Sequence, residues 1–286
     1  MSVAALLLSD SRFPAGGHAH SGGVEPAVTA GTVSDLASLD AFLRGRLRTA
    51  GLVAAGLAAA ACMRAGRTAS ATTAETDVAA VPGPDRPIGL GAGPGNGDQR
   101  VVPGEGFDFW DEIDAEADAR TPSQAQRGAS RRQGRALLRA ARVAWPDDGG
   151  LAGLAASSGA SAAGGGARTA GGGGGASAEY RGGPHHAVVL GVAAAAAGCD
   201  AAAAARIAAY QSVAGAASAA VRLLALDPMR ATALLARLAP DIDHVAECAA
   251  AAAADGPLDE LPCPSAPALD LLAEAHIRAE VRLFES

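Results

Sequence analysis

Between residues 187 and 254 the chain is built very largely of alanine, with single valines, leucines and isoleucines set among it. A methyl group fills little space, so elements made of it can pack only if their backbones come close. Packed helices meet that demand; a sandwich wants β-branched and aromatic side chains instead. The rest of the composition agrees. Hydrophobic residues make up 49% of the 286 and aromatics only 3%, so the core must be alanine, leucine and valine. The expectation is an all-α fold. Its C-terminal half reads as helices over about 187–198, 201–226, 228–238 and 241–254, with a last one from Pro267 to about Val281. Ile207, Tyr210, Ala214, Ala217, Val221 and Leu224 recur at alternating spacings of three and four, a seam for another helix.

The N-terminal half carries the same signals. Val3–Leu8 reads as a short helix ending before Pro14. Ser34 is placed to cap a long helix through about Arg64, with Asp35 near its positive end. Leu36, Leu39, Leu43 and Leu47 form its apolar stripe. Phe107, Trp110, Ile113 and Ala117 predict another helix, which Thr121-Pro122 breaks. A following helix places Arg127, Arg131, Arg135, Arg139 and Arg142 together, with Leu137, Leu138 and Ala141 opposite. The arginine face and the acidic set within 108–118 each read first as solvated faces. Pairing with each other is the second reading, at about 0–1 kcal/mol per exposed bridge.

Two tracts break the pattern, at about 67–106 and 147–183. Prolines and glycines crowd them and no apolar period survives, so they read as disordered, low-complexity insertions. Neither flank would hold a complete core, so residues 1–286 are expected to form a single helical domain.

Several functions are excluded or disfavoured by composition. All 23 basic residues are arginine. A phosphate-binding loop needs its lysine, so the glycine runs are not such loops, and Schiff-base chemistry on lysine is absent too. A net charge of −7 disfavours nucleic acid as a partner. Cys62, Cys199, Cys248 and Cys263 show neither a CxxC nor a dense framework, which suits free thiols in a reducing compartment. Val3–Leu8 is too short for a signal peptide, and the apolar run 187–199 falls short of the ~20 residues that span a membrane. A soluble cytoplasmic chain is expected, with no membrane partner.

Residues 9–25, SDSRFPAGGHAHSGGVE, concentrate glycine and proline around polar side chains. Glycine lets the backbone turn or pass close to a partner, and Pro14 fixes a bend. His18 and His20, like His185 and His186, form a pair. A transition metal such as nickel favours imidazole, but neither pair has a cysteine ligand nearby, so structural roles are read first. Ser21 beside His20 lacks a third group to make a triad, and Asp10 and Glu25 are no evident acid/base pair. The catalytic case is poor. Arg222 falls on the flank of the 207–224 seam, as a snorkelling surface arginine or a pairing residue. Arg282, Leu283 and Phe284 read as a frayed tail or as an anchor for a partner.

Four fragments in order resemble the UreF family of urease accessory proteins. They are Phe13-Pro14-x-Gly16-Gly17 followed by His20-Ser21-x-Gly23-Val24-Glu25; the segment Arg120–Arg142 with its Gln-Gly-Arg before a Leu-Leu helix; Ala214–Leu226 with its Val-Arg-Leu element; and the terminus His276-x5-Arg282-Leu283-Phe284, like the family's closing Arg-Leu-Phe. The resemblance covers about 1–62, 107–146, 184–248 and 268–286. His18 departs from it, standing where many relatives have an aromatic residue.

The resemblance implies a non-catalytic, all-α homodimer that binds the accessory protein UreD (UreH in some species), recruits the nickel-carrying GTPase UreG and docks on apo-urease. It implies no tightly bound cofactor, nickel being at most a transient cargo. The family's role would be to modulate GTP hydrolysis or to pass nickel, and both stay open. By the resemblance His20, Ser21 and Glu25 would serve partner binding or nickel transfer, with His20 as metal ligand. Ala217 and Arg222 would pair helices or subunits. Arg282, Leu283 and Phe284 would bind UreD/UreH, mobile alone and ordered on the partner. The alternatives are a helical ligand-binding or regulatory module unrelated to urease, and a hydrolase using His20 and Ser21.

Overall fold

A computed structural model describes residues 3–10, 13, 20–78, 105–163, 182–280 and 282–284. Among them there is no strand. Helices α1 (Val3–Ser9), α2 (Val24–Thr29), α3 (Leu36–Arg46) and α4 (Leu52–Val78) come first, a π turn at Leu47–Gly51 joining the last two into one rod. Then follow α5 (Glu105–Ala119), α6 (Gln124–Ala144), α7 (Gly149–Ala163), α8 (His186–Ala196), α9 (Ala201–Leu224), α10 (Pro228–Asp255) and α11 (Pro267–His276).

Helix α4 lies at the centre, against α8, α9 and α10. Its buried face is Ala55, Leu57, Ala58, Ala59 and Ala61. The close approach that an alanine core demands is reached where α8 crosses it. A Cβ on Gly191 would stand 2.2 Å from the Ala58 carbonyl oxygen, so only glycine fits. By length and apolar composition two helical stretches, Leu36–Arg67 and Ala201–Leu224, could cross a membrane, which the shorter apolar runs of the sequence did not suggest. Here they pack into the domain's core.

Local chemistry accounts for most boundaries and for the departures from expectation. The cap of α3 is Asp35 rather than Ser34: its carboxylate accepts from Ser38 N at 2.8 Å while Ser38 Oγ accepts from Asp35 N at 3.0 Å, a reciprocal capping box. Asp200 caps α9 and Asp227 caps α10. Pro240 does not split α10, which runs through it; the ring costs one helical hydrogen bond that the surrounding packing outweighs. Helix α11 ends at His276, five residues earlier than expected.

The two tracts expected to be insertions are narrower than their composition indicated. Helix α4 continues into the first, to Val78, and α7 occupies 149–163 of the second. Leu151 and Leu154, each 1% exposed, anchor α7. Its glycines, alanines and serines hid the apolar period. The remainder, 79–104 and 164–181, lies outside the described residues, as do motif positions 14–19.

Ala217 is 2% exposed and buried in its own subunit's core, so it presents no surface to a second subunit. The expected seam is only partly right. Ile207 and Ala217 are buried, but Tyr210 is 39% exposed, and the packed face of α9 runs instead through Ala205, Ala209, Val213, Ala216 and Ala220. In so alanine-rich a helix every face looks apolar, and periodicity loses its power to choose.

Candidate functional site: a cavity beside a docked tail

The glycine pair of the motif makes a turn that only glycine adopts freely. Gly22 has φ 59° and Gly23 φ 84°. The turn delivers the chain into α2, with Val24 N donating to Ser21 O at 3.2 Å. Helix α2 was not foreseen; the sequence reads as hinge to Glu25, and a six-residue helix with an internal proline gives little periodicity. Ser21 is completely buried, and its Oγ has no hydrogen-bond partner among the described residues. Phe13, at the start of the motif, packs on Trp145 with ring centroids 6.3 Å apart.

Glu25, in the first turn of α2, is 6% exposed. Its Oε1 accepts from Leu283 N and its Oε2 from Phe284 N, each at 2.8 Å. His276 Nε2 stands 3.3 Å from Glu25 Oε2 and 3.3 Å from the Phe284 carbonyl oxygen, so a proton there can be donated to either. The Arg222 guanidinium lies 4.3 Å over the Phe284 ring. Three motif fragments that are far apart in sequence therefore meet at one place.

That geometry revises the reading of the tail. Phe284 is 8% exposed, packed against its own chain. Leu283, 73% exposed, is the large apolar side chain that the tail leaves uncovered, and Arg282 is exposed beside it. Arg222 pairs within the subunit, through Phe284.

A cavity of about 810 Å³ adjoins the turn, with His20, Gly22, Arg46, His186, Tyr210 and Gln211 among its lining. Arg46 Nε donates to Ser212 O at 2.8 Å. Burial draws the Arg46 pKa down to about 10, which leaves it charged at neutral pH. Burial, reinforced by the charge on His20, pushes His186 down to about 4, so its ring is neutral. Two histidines thus share one wall, but among the described residues no group of three or more His, Cys, Asp or Glu is placed to hold a metal ion.

His185 is engaged elsewhere. Its Nε2 meets Asp118 at 2.8 Å and its Nδ1 meets Ser130 Oγ at 3.0 Å. Arg131 bridges Asp114 at 2.7 Å and Asp118 at 2.8 Å. The acidic face of α5 and the arginine face of α6 therefore do pair, across the start of α8. Burial opposes the charge on Asp118, but the His185 hydrogen bond and the Arg131 charge outweigh it and hold its pKa at about 2. Arg120, from the second fragment, is structural as well: its Nη2 donates to the carbonyls of Leu258, Asp259 and Leu261 at 2.9, 3.0 and 3.1 Å. The four cysteines are free thiols, and burial, more than the neighbouring Cys199 and Asp200, raises Cys62 to about 12, which makes it unreactive.

The site thus sits in an alanine-cored helical fold with a glycine turn, a docked tail and a half-open cavity. Comparison with known proteins gives the family. The UreF family model matches residues 33–239. The urease accessory protein UreF of Mycolicibacterium vanbaalenii (strain PYR-1) is 39% identical over 281 residues, covering 98% of this chain and 97% of that protein. That of Mycobacterium sp. (strain JLS) is 38% identical over 282 residues, with the same coverage. That of Mycobacterium tuberculosis (strain H37Rv) is 41% identical over 149 residues, about half of each chain. The chain belongs to the UreF family of urease accessory proteins.

Proposed function

We propose that this chain is a non-catalytic assembly factor in urease maturation, required for nickel insertion into apo-urease. The observation that carries the reading is the similarity to UreF proteins along 98% of the chain. In this reading the protein works as a cytoplasmic homodimer that binds UreD/UreH and brings the GTPase UreG to urease. Leu283 and Arg282, exposed on a tail fixed by Glu25, supply part of the UreD/UreH surface. In the same reading His20, which lines the cavity beside the glycine turn, takes part in nickel transfer or in the GTPase-facing surface.

The test is co-purification of the full chain with UreD and UreG from cells that express the urease genes, together with urease activity in those cells. Loss of the complex and of activation when this chain is deleted is the expected result. Full activation without it would overturn the reading. His20→Ala separates two roles: nickel transit predicts lower urease nickel content with the complex intact, whereas control of GTP hydrolysis predicts an altered hydrolysis rate in the assembled complex.

A further inference from the structure

Two side chains on the outer face of α10 stand together and take no part in the site described above. His244 and Cys248 are both exposed, and Cys248 Sγ lies 3.8 Å from His244 Nε2. A spacing of four residues sets them one above the other on the same helix face. Neither lines the cavity that includes His20. Among the described residues no other cysteine is hydrogen-bonded to a histidine; Cys62, which is buried, donates to the Cys199 carbonyl oxygen at 3.4 Å.

The separation is close to that of two donors sharing one ion. Zinc holds a thiolate sulfur at about 2.3 Å and an imidazole nitrogen at about 2.0–2.1 Å, and a tetrahedral angle then puts the two donors about 3.6 Å apart. The observed 3.8 Å is nearly that bite already. Thiolate and imidazole together select borderline-soft divalent ions, whereas magnesium and calcium take oxygen ligands. Glu247, exposed and three positions from His244, brings a carboxylate to the same face. Among the described residues no third His, Cys, Asp or Glu completes the set, so water fills the remaining positions and the site is an open one.

We propose that His244 Nε2 and Cys248 Sγ form a two-ligand surface site on α10 for a zinc-class divalent cation. Binding is a ligand exchange without redox change. The Cys248 S–H bond breaks and its proton goes to solvent; metal–sulfur and metal–nitrogen bonds form; two metal-bound waters leave. The imidazole binds as the tautomer that carries its proton on Nδ1. The ion ties the turn of α10 that follows Pro240, where the proline leaves the helical ladder one hydrogen bond short. The site is separate from the assembly role above and does not depend on it.

The experiment uses the full-length, tag-free protein with its thiols reduced. Cobalt(II) is titrated in as the spectroscopic probe, and thiolate-to-cobalt charge-transfer absorption in the near ultraviolet is followed. A saturable band at one ion per chain is expected, bleached by zinc and unaffected by magnesium, with one proton released per zinc bound. Cys248→Ser should abolish the band, His244→Ala should weaken cobalt binding about fivefold or more, and Cys263→Ser should leave the band as it is. The substituted side chains are exposed, so the helical circular dichroism of all three variants should match the wild type. No saturable band in the wild type, a band that survives in Cys248→Ser or is lost in Cys263→Ser, equal displacement by magnesium, or a smaller loss in His244→Ala would overturn the proposal.

Discussion

Glu25 and Phe284 are 259 positions apart in sequence, and the carboxylate of the first accepts the backbone N–H of the second at 2.8 Å. The same carboxylate takes the N–H of Leu283, so one side chain fixes the last described residues of the chain onto the glycine-turn motif. Hydrogen bonds to a charged group contribute about 1.5–3 kcal/mol each. Glu25→Ala should therefore lower stability by roughly 2–4 kcal/mol and speed amide exchange at Leu283 and Phe284 at least tenfold. Unchanged exchange at those two amides would show that the carboxylate does not hold the tail.

The two apolar residues of the tail should separate cleanly by substitution. Phe284 is buried under Arg222 and Leu283 is exposed. Phe284→Ala should cost about 3 kcal/mol of stability. Leu283→Asp should leave the melting temperature within a degree or two, yet weaken UreD/UreH binding tenfold or more in a pull-down or titration. Equal binding by wild type and Leu283→Asp would remove that side chain from the proposed interface.

Gly191 offers a test of the core. Its missing Cβ is replaced by the Ala58 carbonyl of the crossing helix. Gly191→Ala, which would stabilise an isolated helix, should instead destabilise the protein by about 3 kcal/mol or more by forcing α4 and α8 apart. A denaturant titration reads this directly, and a neutral or raised midpoint would contradict the close crossing.

Acid should weaken the fold in two stages. His186 stays neutral in the fold down to about 4, against an ordinary value of 6.5. The unfolded chain binds that proton first, so the contribution is whole above 6.5 and is lost as pH falls from 6.5 toward 4, bounded at about 3 kcal/mol. Asp118 acts lower. Held charged down to about 2 by the His185 hydrogen bond and Arg131 despite its burial, it stabilises above 3.8 and fails between 3.8 and 2. Urea midpoints at pH 7 and pH 5 should differ in the wild type and converge in His186→Gln if that variant folds; equal midpoints in the wild type would exclude the first stage.

Much of this was legible in the residues, for reasons that also explain the misses. Leucine at 36, 39, 43 and 47 and the run Trp110, Ile113, Ala117 stand out because large apolar side chains alternate with polar ones, and both stripes face inward or pack on the core. The α-class followed from an alanine-rich composition. Helices α2 and α7 were missed because glycine, proline and serine mask them, and the buried face of α9 because alanine surrounds it on every side. The site divides in the same way. Short motifs marked His20, Glu25, Arg222 and Phe284, but only tertiary structure brings Glu25 to the tail.

The alanine faces of α4, α8, α9 and α10 bring no rotamers to freeze on folding, so their ordering costs backbone entropy alone. They also resemble themselves after a shift of one turn, and so carry little information about where one helix should stop against the next. That information has to come from the edges. Arg44 with Asp241 sets α3 on α10, Arg206 with Asp243 sets α9 on α10, and Gln211, donating to Leu8 O at 2.9 Å, sets α1 on α9. Each such pair adds little to stability by itself, yet together they act as index marks on otherwise featureless cylinders, and removing several at once should leave a helical protein that no longer knows its own alignment.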